Sequence, residues 1–225
     1  MPASSRSQAT RAKLLERALK LFQKKGVAAT TMRDIARAAG MSLGAAYYYF
    51  PSKQALLFAY YEANVDAVEA VTAKGSLRER LGAAFHGMLD ATRPHRALLA
   101  SIVPQLADPA DPLSAFSSST RAVRERSVAV YARALAGAVP DAHVPLVAHA
   151  LWLLALAVML VFVRDDSANQ ARTHRLVDDA LDLLAPLAPL FATPLGRGLV
   201  EHTAAALARA EIFVEPPPAR HLPRA

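Results

Sequence analysis

Residues 41 to 53, "MSLGAAYYYFPSK", set Tyr47, Tyr48 and Tyr49 in a row behind Leu43, Gly44 and Ala45 and stop them at Pro51. Consecutive helical residues point about 100° apart, so three adjacent tyrosines cannot share one buried face. Ser42 is placed to cap the helix. From that start Ala46 and Phe50 fall on one side with Tyr49 and Ala45 beside them, while Leu43, Gly44, Tyr47 and Tyr48 take the other. The first set is expected to pack on neighbouring helices and the second to face a partner. Tyrosine carries a flat apolar ring and a hydroxyl that reaches a phosphate oxygen. Small residues at the helix N-terminal end permit the close approach that entry into a DNA groove requires.

Other reactive residue types are dispersed. His86, His95, His149 and His174 form no His-x-x-x-His pair and no HExxH, so no metal site is expected. The sequence has no cysteine, which excludes disulfides and thiolate zinc sites and fits a reducing, cytoplasmic setting. Gly-x-Ser-x-Gly and phosphate-binding glycine loops are absent, so neither an enzyme nor a bound cofactor is expected. His149 and Trp152 share a helix face at i, i+3, where a ligand pocket would use one polar group and one ring, although a packed helix with a satisfied histidine is the stronger reading of the pair. The expected lining of an apolar pocket is Phe85, Met88, Leu99, Val103, Tyr131, His149, Trp152 and Met159. Very few acids accompany these residues, which favours a neutral or weakly polar small molecule over a cation.

The charge is unevenly placed. Of 26 Lys/Arg and 19 Asp/Glu in 225 residues, residues 1–55 hold ten bases and two acids, a net +8, and the other 170 residues hold sixteen bases and seventeen acids, a net −1. A positive field confined to one end points to a polyanion, with nucleic acid first and an anionic membrane surface second. The start "MPASSRSQATRAKLL" has no apolar run behind its basic residues and does not read as a secretory signal. Arg6 and Arg11 there either track a minor groove or belong to a disordered arm. "ALWLLALAVMLVFV", Ala150 to Val163, has 14 residues where a bilayer span needs roughly 20, and reads as a core or interface helix, so no membrane partner is expected.

The elements that position these residues are helical throughout. The spacing predicts a first helix over about Gln8–Lys25, a second capped by Thr31 with Asp34 three residues on and ended by Gly40, and the Ser42-capped third. Longer helices follow over Lys53 to about Ala73, from the capping box "SLRE" at Ser76–Glu79 to near Pro94, and through "PHRALLASIVPQLAD". After the break "DPADPLS" come Phe116–Ala138, Ala142–Val163, Ala168–Phe191 and Pro194–Ala210. Ser167 and Gln170 have capping-box spacing, and Pro186 and Pro189 should kink or end their helix. The tail "EPPPARHLPRA" has too little apolar surface to fold alone.

Thr30 to Leu57, "TTMRDIARAAGMSLGAAYYYFPSKQALL", resembles the DNA-binding domain of the TetR family of transcriptional regulators. That pattern combines a Thr-capped second helix, a Gly-x-Ser turn, an aromatic-rich third helix ending in Tyr-x-x-Phe and a Lys opening the fourth. Here these are Thr31, Gly40 and Ser42, Tyr47 to Phe50, and Lys53, and the likeness covers about residues 8 to 60. It implies an all-α fold with an N-terminal three-helix helix-turn-helix domain (1–54) that binds operator DNA as a homodimer. A helical-bundle domain (55–214) that dimerises and holds a small-molecule inducer would follow, then a disordered tail (215–225). By position it implies phosphate contacts from Thr31, Tyr47, Tyr48 and Lys53, with Leu43, Gly44 and Ala45 against base edges behind the Ser42 cap. Many members carry a polar residue where this sequence has Leu43 and Ala45, so specificity is expected to lean on thymine methyls, on Arg33 or on DNA shape. The expected function is a ligand-released repressor on a palindromic operator. The alternative is a ligand-independent architectural DNA binder, which has no use for 170 further residues of apolar character.

Overall fold

The computed structural model describes residues 5–70, 74–108 and 110–209. Among them the regular elements are all helical: α1 (Ser5–Lys25), α2 (Met32–Ala39), α3 (Leu43–Tyr49), α4 (Lys53–Glu69), α5 (Leu77–Thr92), α6 (Arg96–Ala107), α7 (Arg121–Leu135), α8 (Val144–Arg164), α9 (Ala171–Leu184) and α10 (Pro194–Arg209), with short 3-10 segments between some of them. The expected all-α class is therefore observed. The expected ends near Ala73 and Ala210, and the tail 215–225, lie outside the described residues.

Local chemistry sets most boundaries. The Thr31 hydroxyl accepts from the Asp34 N–H at 3.1 Å while the Asp34 carboxylate accepts from the Thr31 N–H at 3.0 Å, a complete capping box. Gly40 closes α2 at φ 71, a left-handed conformation that glycine adopts without a steric penalty. Ser42 caps α3 by accepting from the Ala45 N–H at 3.2 Å, and Ser76 with Glu79 forms the box that starts α5.

Two expectations are corrected. The helix expected from Phe116 begins at Arg121, because side chains before it take the backbone groups a helix would use: Thr120 donates to the Ser114 carbonyl at 2.6 Å and Ser117 to that of Pro112 at 2.8 Å. The Ser167–Gln170 box does not form, since Asn169 and Gln170 lie at φ 53 and 55. The buried Asp165 carboxylate does that work instead, accepting from the N–H and hydroxyl of both Ser167 and Thr173 at 2.6 to 2.9 Å. Burial alone would raise its pKa, but those four bonds hold it well below the usual carboxylate range. The helix read over 168–191 ends as α9 at Leu184 and continues as a 3-10 segment, Ala185–Ala192, as expected where Pro186 and Pro189 remove backbone donors.

Two apolar cores result. The first gathers Leu14, Ala18 and Phe22 of α1, Ile35 of α2, Ala46 and Phe50, then Leu56, Leu57 and Tyr60 of α4 and Leu98 and Ile102 of α6. The helix-turn-helix thus packs directly on two helices that follow it in sequence. The second core joins α5, α7, α8 and α9. Residues Asp141–Arg164 make one helical stretch long and apolar enough to cross a bilayer by length and composition. Its face Ala148, Leu151, Trp152, Ala155, Val158 and Phe162 is buried against neighbouring helices, as expected for a core helix.

Between α5 and α9, the contacts fix the protons of a histidine pair. Arg93 can only donate, so the His174 Nε2 it meets at 2.9 Å is an acceptor. Neutral His174 then donates from Nδ1 to His86 Nδ1 at 2.8 Å, and His86 donates from Nε2 to Asp178 at 3.0 Å. Both rings must be neutral for the chain of bonds to exist. Burial first, then His86, holds the His174 pKa below its ordinary value, against Asp90 and Asp178 and with Arg93. A depressed histidine pKa means the unfolded chain binds more protons, so this stability is full above about pH 6.5 and is lost as the pH falls through the folded value. The urea midpoint is expected to drop between pH 7.5 and 5.5, and His174→Gln should flatten only part of that drop. His95, also depressed by burial, contributes to what remains.

Candidate nucleic-acid interface and buried cavity

Tyr47 is 47% and Tyr48 83% exposed, whereas Ala46 and Phe50 are buried, so α3 presents two aromatic rings outward over a packed underside. Tyr49 is half-buried against the first core and meets the Tyr48 ring edge-to-face at 5.3 Å. Gly44 is exposed, and a Cβ built there meets nothing within 4 Å. Thr31, Arg33 and Ser42 are exposed too, the hydroxyls of Thr31 and Ser42 serving as caps. Arg37, which the sequence reading left out, is exposed one helical turn beyond Arg33, and that i, i+4 spacing was the available signal. Lys25 bonds the Asp34 carboxylate at 2.8 Å and, with Thr31, holds its pKa below the usual carboxylate range.

Two expected contacts have other partners. The Lys53 ammonium donates to the carbonyls of Val27 at 2.7 Å and Ala28 at 3.2 Å, tying the start of α4 to the turn after α1 and leaving one of its three donors. Leu43, expected with the outward set, is half-buried and packs on the first core, and Ala45 is likewise half-buried. Arg6 and Arg11 both lie in α1, where the Arg11 guanidinium sits 4.6 Å above the Phe50 ring.

A cavity of about 180 Å³ lies among α4, α5, α6, α7, α8 and the segment before α7. Five of the eight residues expected in a pocket line it: Met88, Leu99, Tyr131, Trp152 and Met159. Phe85 instead meets the Tyr131 ring at a tilt, with centroids 5.1 Å apart, and Val103 is not in the lining. His149 faces a separate groove, with its Nδ1 2.7 Å from the Pro145 carbonyl. The sequence reading missed Tyr60, Tyr61 and Asn64, which α4 brings into the cavity and for which the tandem tyrosines were the signal.

The separate groove, about 850 Å³, runs between α8, the 3-10 segment Ala185–Ala192 and α10, and its lining is mostly leucine, valine and alanine. Around it the surface stays apolar, with Leu153 and Leu160 exposed on α8 and Leu176 and Leu183 on α9, each pair seven residues apart and therefore on one face.

The family model described as bacterial regulatory proteins, tetR family, matches residues 14–60. The TtgR transcriptional regulator of Pseudomonas putida is 35% identical over 100 residues, 40% of this chain and 48% of its own. The matched stretches span 29% to 48% of the length of the first curated relatives. A TetR-family regulator structure from Streptomyces coelicolor superposes with a TM-score of 0.59 at 21% identity, covering 91% of this chain and 98% of the other. One from Syntrophomonas wolfei reaches 0.64 at 20% identity, covering 79% and 95%. These two share the fold along most of their length, and the capped, tyrosine-bearing helix-turn-helix carries the sequence likeness. Residues 14–60 thus form a DNA-binding domain of the TetR family of transcriptional regulators, and the chain as a whole shares the fold of the two solved regulators.

Proposed function

We propose that this protein is a repressor that binds a palindromic operator as a homodimer and is released by a small, mainly apolar molecule held in the α4–α8 cavity. The reading places it in the cytoplasm with the chromosome. The observation that supports it most is the pairing of a solvent-facing Gly44–Tyr47–Tyr48 surface with a net +8 confined to residues 1–55. Phosphate contacts then supply most of the affinity, and base contacts from the Arg33 and Gly44 region supply register. Domains of 1–54 for DNA and 55–214 for ligand and dimer fit this division of labour.

One helix joins the two activities. The first residue of α4, Lys53, is bonded to the turn that precedes α2, and two turns later Tyr60 and Tyr61 line the cavity. A ligand that shifts α4 would therefore move the helix-turn-helix. It changes DNA affinity only to the extent that it binds the two arrangements unequally, and DNA must weaken the ligand by the same factor. The exposed leucine face supplies the two-fold contact that sets the recognition helices about one DNA turn apart.

The test is selection of a DNA site from a random pool, followed by affinity measurement from 50 to 200 mM salt. A two-fold symmetric site whose binding weakens by about 1,000-fold or more over that range is expected for six to ten neutralised phosphates. A salt-insensitive or asymmetric monomeric site would overturn the reading.

A further inference from the structure

The polar groups lining the α4–α8 cavity are unbalanced. Thr92, Thr120 and Ser127 already give their hydroxyl protons to the carbonyls of Met88, Ser114 and Val123 at 2.6 to 2.9 Å. The phenols do not. Among the described residues the buried Tyr61 hydroxyl has no hydrogen-bond partner, and that of Tyr60, 2% exposed, has only the Asn64 side chain near it, short of hydrogen-bonding geometry. Tyr131, 4% exposed, reaches only the Met88 sulfur at 4.0 Å, a weak acceptor.

Burial pushes all three phenols above their ordinary range, so each stays a protonated donor. The lining holds no aspartate or glutamate; Asp111, which bears on Tyr61, lies outside it and accepts from the Leu113 N–H at 2.8 Å. Arg124 adds further donors, with Nη1 committed to the Ala115 and Ser117 carbonyls and no salt bridge among the described residues. A buried donor left without an acceptor costs free energy that a ligand recovers by supplying one. The rest of the wall is apolar, and about 180 Å³ is slightly more than a cavity that takes benzene, which sets the size at one ring with a short substituent.

Resting on the reading of this cavity as the inducer site, we propose that the inducer is a single-ring apolar compound bearing an acceptor oxygen, a carbonyl or a carboxylate, bonded by the Tyr60, Tyr61 and Tyr131 hydroxyls. A cation is rejected because no carboxylate lines the cavity to neutralise it and the Arg124 guanidinium there is already positive. A bare hydrocarbon fits by shape but leaves the phenols unpaired.

Titration calorimetry of the full chain with four compounds of matched size tests this: acetophenone, benzoate, ethylbenzene and 1-phenylethylamine. Acetophenone and benzoate are expected to bind at least tenfold more tightly than ethylbenzene, and the amine at least tenfold more weakly than ethylbenzene. The Tyr60→Phe, Tyr61→Phe, Tyr131→Phe triple variant should bring acetophenone down to the hydrocarbon while leaving ethylbenzene unchanged, an internal control for folding. Arg124→Gln separates the two oxygen sources, because it should weaken benzoate alone. Ethylbenzene binding as well as acetophenone, or a preference that survives in the triple phenylalanine variant, overturns the acceptor-oxygen class while leaving a ligand site in place. Binding of none of the four, hydrocarbon included, removes the ligand site and the class together.

Discussion

A variant carrying Leu160→Glu and Leu183→Glu will sediment as a monomer at micromolar concentration and bind the selected operator roughly 100- to 10,000-fold more weakly, with an unchanged melting temperature. These leucines are 50% and 68% exposed in the single chain, so a glutamate at either disturbs little of the chain's own packing. In a symmetric contact each substitution is met twice, and the four carboxylates would have to be buried against apolar surface and one another. Leu160 lies near the end of α8 and Leu183 near the end of α9, so the pair samples both ends of the face that Leu153 and Leu176 continue. The affinity loss follows from linkage: a dimer turns the second half-site into an intramolecular event, and its effective concentration disappears with the interface. A variant that remains dimeric and keeps full affinity would place the two-fold elsewhere.

The same leucines show what the sequence could convey and what it could not. An apolar run at α8 was plain to read, and so was its being a core or interface helix, because hydrophobic periodicity is a local property. Which of its residues face inward depends on α5, α6, α7 and α9, and no spacing within α8 reports that. His149 illustrates the loss: it shares a face with Trp152 by helical arithmetic, yet Trp152 lines the cavity and His149 the groove, since the two spaces meet along this helix. The helix-turn-helix was legible almost residue by residue, because Thr31, Gly40 and Ser42 act on backbone groups within four positions of themselves. Lys53 was not, because its carbonyl partners lie 25 and 26 residues earlier, and neither was Asp165, whose capping role required two positive-φ residues to bring Thr173 back to it. The cavity was half legible: methionines and aromatics on α5, α7 and α8 suggested it, but nothing in the local spacing of α4 reports that Tyr60 and Tyr61 turn toward the same space.

Separating residues that touch DNA from residues that hold the domain together yields the second large effect. Tyr47→Ala with Tyr48→Ala is expected to weaken operator binding by about 100-fold or more, as each side chain that reaches phosphate is worth roughly 1.5–3 kcal/mol in a hydrogen bond to a charged group. The melting temperature should stay put, because both rings are exposed and no hydrogen bond of theirs is seen among the described residues. Gly44→Val sharpens the contrast. The chain leaves open space where a side chain would go, and valine is the better helix former by some tenths of a kcal/mol, so the protein alone gives no reason for glycine. If DNA comes close there, the variant will fold at least as stably as the parent and bind operator at least tenfold more weakly. Lys53→Ala should behave differently from all of these: it strips two backbone carbonyls of their donor at the α1–α4 junction, so stability falls by about 1–2 kcal/mol and DNA affinity falls with it. Circular dichroism melts beside fluorescence anisotropy on the selected site measure both quantities for each variant. A Gly44→Val protein that binds as well as the parent would mean that α3 does not approach DNA by this face, and a Lys53→Ala protein that melts normally would return that lysine to the phosphates.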